Sequence, residues 1–73
     1  MMAETVNLLE VVALTEDIRQ HGLRRGQVGT VVERLAPDVY EVEFSDNSGR
    51  TYASVPLHTD QLLVLHHEPV STP

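Results

Sequence analysis

The segment Val39-Tyr40-Glu41-Val42-Glu43-Phe44 constrains the chain more than any other. Apolar and acidic residues alternate along it, and successive side chains of a β-strand point to opposite faces, so a strand turns this pattern into one dry face and one wet face. Tyr40, Val42 and Phe44 are thereby assigned to a core, and Glu41 and Glu43 to solvent. A half-buried strand needs partners, and the flanking sequence supplies them.

Upstream, Gln27–Leu35 is rich in β-branched residues and reads as a strand, with Gly29 marking a bulge or a close backbone approach. The turn Ala36-Pro37-Asp38 joins it to the alternating segment, proline fixing φ at the first central position. Downstream, Ser45–Gly49 reads as a hairpin loop and Arg50–Val55 as the returning strand, stopped by Pro56. Leu57–Gln61 suits one turn of 3₁₀ helix, and Leu62–Leu65 a last strand.

Near the start, Leu8–Leu14 is dense in strand-favouring residues with apolar side chains on both faces, which places it centrally in the sheet. A helix over Glu4–Leu14 is the competing reading, disfavoured by the adjacent valines. Thr15–Gly26 is a long connection carrying Arg19, Arg24 and Arg25, and loops of that length are often where binding happens. Its last glycines, with Gly29, bend the chain into the strand that closes a barrel. The expected organisation is a flexible N-terminus (1–7), one domain (8–66) and a disordered tail (67–73). The expected fold class is all-β: a small five-stranded SH3-like barrel with a 3₁₀ turn before the last strand.

Size and charge narrow the function. Seventy-three residues make one domain with a small core, and no cysteine is present to cross-link it or to offer a thiolate metal site. The first residues lack the pattern of a signal peptide and no window has the length of a membrane span, so a soluble, cytoplasmic protein is expected. Five arginines and no lysine stand against eleven carboxylates, a formal net charge of −6. Such a chain repels a phosphate backbone on average and attracts a basic protein surface.

The phrases V-V-A-L-T-E-D-I, H-G-L-R-R-G-Q-V-G-T-V-V-E, Y-E-V-E-F and D-Q-L-L resemble a family of small bacterial proteins known as domain of unknown function 4926. The resemblance spans roughly Leu8 to His66. It implies an SH3-like fold and carries over no activity and no functional residue. A second similarity, R-R-G-Q-V-G-T-V over Arg24–Val31, is to the KOW element of ribosomal and transcription-elongation proteins, although RNA-binding KOW domains are usually rich in lysine. The same glycine pattern is similar to SH3-like parts of the nitrile hydratase β subunit and of small cyanobacterial photosynthetic-complex subunits, which are protein-docking barrels.

The candidate partner-binding residues are Arg24, Arg25, Glu41, Glu43 and Tyr52. Guanidinium groups pair with carboxylate or phosphate in two-pronged fashion, and the competing role of Arg24 and Arg25 is to neutralise Glu16, Asp17 or Glu33. Glu41 and Glu43, with Glu33 as a neighbour, form either an acidic stripe for a basic partner or a plain solvated face. Tyr52 is the aromatic residue expected to be exposed. His21, His58, His66 and His67 have no spacing that marks a metal site, and neither a catalytic constellation nor a cofactor motif is apparent. The expected function is a non-enzymatic protein-binding module: an accessory, inhibitor or antitoxin-like subunit docking on another protein, such as the product of a neighbouring gene. The alternative is KOW-like RNA binding through Arg19, Arg24, Arg25 and Arg50. Self-association through Val12, Val32 or Leu62 is a third reading.

Overall fold

The computed structural model describes residues 6–66, so expectations for 1–5 and 67–73, His67 among them, lie outside the described residues. The fold is all-β, with strands β1 (Val11–Leu14), β2 (Val28–Ala36), β3 (Val39–Ser45), β4 (Thr51–His58) and β5 (Leu62–Val64). They form one antiparallel sheet in the order β4-β3-β2-β1-β5. Short 3₁₀ turns occupy Arg19–His21 and Thr59–Gln61, the second just ahead of β5 as expected.

All five strands feed one core. Val12 and Leu14 from β1, Val31 from β2, Tyr40, Val42 and Phe44 from β3, Val55 and Leu57 from β4, and Leu62 and Val64 from β5 are all buried together. Val12, Val31, Val42 and Phe44 have no exposed surface at all. A flat sheet covered by neither helix nor second sheet cannot bury its face so completely, so this sheet wraps around its own inner face. Val6, Ile18 and Leu23 complete the cluster from outside the strands. Val6, ahead of the expected domain start at Leu8, thus packs on the core as well.

Gly29 shows how tightly the wrap closes. A Cβ at this position would lie 2.7 Å from Val42 Cγ1, 2.8 Å from the Glu43 carbonyl oxygen and 2.9 Å from Phe44 Cδ1. The glycine is thus a close backbone approach over which Phe44 packs. The bulges fall further along β2, between Val31 and Glu33 and between Arg34 and Ala36.

Three expected boundaries are corrected. β1 starts at Val11, because Asn7–Glu10 folds into a turn in which Leu9 has φ 68° and Glu10 Oε1 accepts the Asn7 N–H at 2.8 Å. A strand cannot run through a left-handed residue, and Leu8 and Leu9 are left exposed. β4 does not stop at Pro56 but runs on to His58. It is an edge strand, paired only with β3, so the missing N–H of proline costs no ladder bond on the open side. The 3₁₀ turn is accordingly shorter than Leu57–Gln61. Gln61 Oε1 accepts the His58 N–H at 2.8 Å, and the Thr15 hydroxyl donates to the Asp60 carbonyl at 2.9 Å, tying the turn to the end of β1.

Candidate functional site

The outer face of the sheet is built in three rows by the strand register. In the first, Ala13 lies opposite both Leu63 and Val28. In the second, Val11 pairs with Thr30, Thr30 with Glu43, and Glu43 with Ser54. In the third, Glu33 pairs with Glu41 and Glu41 with Pro56. One side of the face is apolar, the other acidic.

Glu33 owes its place to the bulge at Val32. Gly29 and Val31 face inward, and unbroken alternation would turn Glu33 inward after them. The extra residue reverses the phase and sets Glu33 opposite Glu41, on the solvent side. Like charges directly opposite each other on neighbouring strands are destabilising, by roughly 0.2–1 kcal/mol for a pair of this kind. Glu41 is partly relieved by a hydrogen bond from the Ser54 hydroxyl. Among the described residues no cation pairs with Glu33, Glu41 or Glu43.

At the opposite end of the face, Leu63 is 55% and Val28 49% exposed. These are large fractions for apolar side chains in a domain with so few to spare. Val12 and Leu62, expected to be exposed in the self-association reading, are buried at 0% and 8%. The exposed aliphatic residues of the strands are Val28, Leu35 and Leu63, none of which alternation singles out.

The long connection forms the second candidate. It is not a slack loop: Ile18 and Leu23 are buried and exchange backbone bonds of 2.9 and 3.1 Å, with Gly22 capping the 3₁₀ turn between them at φ 68°. Asp17 Oδ1 accepts the Arg25 N–H at 2.8 Å, and Gln27 Oε1 accepts the Arg24 N–H. Gln27 Nε2 in turn donates to the Tyr52 hydroxyl at 2.8 Å, so the loop and the start of β4 are linked. Arg19, Arg24 and Arg25 line a shallow groove of about 700 Å³ together with Asp17. Asp17 is engaged by the Arg25 backbone, and no guanidinium ion pair to Glu16, Asp17 or Glu33 occurs among the described residues.

The structure therefore brings Arg24, Arg25 and Tyr52 to one end, Tyr52 half exposed, and sets Glu41 and Glu43 apart on the outer face. Among the described residues no group of three His, Asp or Glu side chains is arranged to hold a metal ion, and no helix is long and apolar enough to cross a membrane. Residues 8–64 match the model of a family described as Domain of unknown function (DUF4926). No curated protein and no solved structure matches the chain.

Proposed function

The chain belongs to the DUF4926 family, and for it we propose the role of a non-enzymatic protein-binding module, an SH3-like barrel acting in the cytoplasm as an accessory, inhibitor or antitoxin-like subunit. The observation that carries this reading is the apolar row Leu63–Ala13–Val28 on the outer face of the sheet, with Leu63 and Val28 about half exposed. A small domain needs nearly all its apolar side chains inside, and an exposed apolar patch rimmed by polar residues is characteristic of an interaction surface. The test is affinity capture from the native host with the wild-type chain and with Leu63→Asp. A stoichiometric partner is expected with the first and lost with the second at unchanged melting temperature. Recovery of no such partner with either overturns the reading.

A second reading, KOW-like RNA binding, is favoured by one observation: Arg19, Arg24 and Arg25 converge on one groove. It requires binding to total RNA that weakens steeply with salt and disappears in Arg24→Glu/Arg25→Glu. No mobility shift at low salt removes it.

A further inference from the structure

We infer that the segment received by the outer face is cationic as well as apolar: a stretch of another protein with apolar anchors at one end and lysine or arginine at the other. This rests on the docking reading above and adds the chemistry of the partner.

The rows fix that chemistry. Leu63, Ala13 and Val28, on β5, β1 and β2, offer an apolar shelf, and Glu33 on β2 with Glu41 and Glu43 on the adjacent β3 occupy the next two rows. Two row steps amount to about 13 Å along the strand direction, the length of about four residues of extended chain or nine of helix. The three carboxylates are left without a cation by the chain itself among the described residues, although the chain has five arginines. The bulge at Val32 turns Glu33 outward to face Glu41 rather than separating the two. A cation arriving with whatever covers the shelf relieves the like charge gathered beside it.

Competing occupants fit less well. A second copy brings the same net charge of −6 and the same three carboxylates. An acidic segment or a nucleic acid meets the same repulsion.

Two synthetic peptides test the proposal, Leu-Ser-Val-Ser-Lys-Ser-Lys and its counterpart with glutamate for lysine, titrated into the isotope-labelled chain. The lysine peptide is expected to give saturable amide shifts at Val28, Glu41, Glu43 and Leu63. Its affinity should fall about tenfold or more between low and about 0.3 M salt, as screening of exposed charge requires, and similarly in Glu41→Gln/Glu43→Gln. Equal binding of both peptides, absence of binding, or shifts confined to Arg24 and Arg25 overturns the proposal. So does a concentration-dependent dimer in sedimentation that Leu63→Asp abolishes. The host partner separates this proposal from its premise. Loss with Leu63→Asp but retention with Glu33→Gln/Glu41→Gln/Glu43→Gln leaves the docking reading standing and overturns the cationic partner; retention with both overturns the two together. Loss with both variants, with a melting temperature at or above that of wild type in the glutamine variant, supports the proposal.

Discussion

The inner and outer faces of β3 are one residue apart in sequence and obey different rules. Inward, Tyr40, Val42 and Phe44 are held by neighbours from every strand, and Phe44 has no exposed surface. Outward, Glu41 stands opposite Glu33, and among the described residues the side chains of Glu41 and Glu43 have a single hydrogen bond, from Ser54 to Glu41, between them. The inner face is optimised for packing, whereas the outer face retains repulsion and exposed apolar surface that folding does not require.

The sharpest way to break this contrast is to damage the inner face. Phe44→Ala removes the largest fully buried side chain, and a loss of about 3–5 kcal/mol is expected for such a truncation. In a chain this small that approaches the whole stability, so far-ultraviolet circular dichroism should show an unfolded or barely folded protein at room temperature. Gly29→Ala attacks the same face by overfilling. Its Cβ meets the Glu43 backbone at 2.8 Å as well as two side chains, and overpacking of this kind costs about 1–3 kcal/mol, readable as a lower urea midpoint.

The outer face should respond in the opposite direction. Glu33→Gln removes the charge opposing Glu41 and is expected to raise stability by about 0.2–1 kcal/mol at low salt, with the gain shrinking as salt is added. Leu63→Ser, at an exposed position, should shift stability by no more than about 0.5 kcal/mol while abolishing partner capture. A fall as large as that of Gly29→Ala would place Leu63 in the core and erase the distinction between faces.

The smallest effect belongs to neither face. In the β3–β4 hairpin, Asp46 Oδ1 accepts the Ser48 hydroxyl at 2.7 Å and the backbone N–H groups of Ser48 and Arg50 at 2.9 and 3.0 Å. The Ser48 hydroxyl first, then the Arg50 N–H, holds the Asp46 carboxyl below its ordinary value of 3.8. A carboxyl whose pKa is lowered by folding stabilises the fold when ionised. The contribution is therefore complete above 3.8 and is lost as pH falls through the lower folded value. Asp46→Asn should flatten this part of the acid limb of a urea-midpoint titration, and an unchanged limb would show that the hairpin contributes nothing there.

Much of the fold was legible because period two is a strong signal. The Val39–Phe44 alternation placed three core residues and two solvent-facing carboxylates on their observed faces, and the glycine and proline punctuation ordered the strands around it. The misreadings have physical causes. Leu9 adopts a left-handed φ that leucine rarely takes, so the start of β1 was hidden inside an apolar run. Pro56 reads as a stop only in an interior strand, and edge position is a property of the whole sheet. The outer surface was half legible: Glu41 and Glu43 were visible from alternation, whereas Val28 and Leu63 look like core residues until the register assigns their phase. The convergence of Arg19, Arg24 and Arg25 depends on the Ile18–Leu23 bridge, which no local spacing announces.

The pairing of β5 with β1 also bears on the order of assembly. β2, β3 and β4 are joined by short turns, so their ladders close small loops, whereas Leu62 must find Leu14 across nearly the length of the domain. Loop-closure entropy grows with the logarithm of the separation, and non-local pairings slow folding. On these grounds the three-stranded meander is expected to form first and β5 to dock on Val12 and Leu14 last, and φ-values high in β3 and low in β5 would check it.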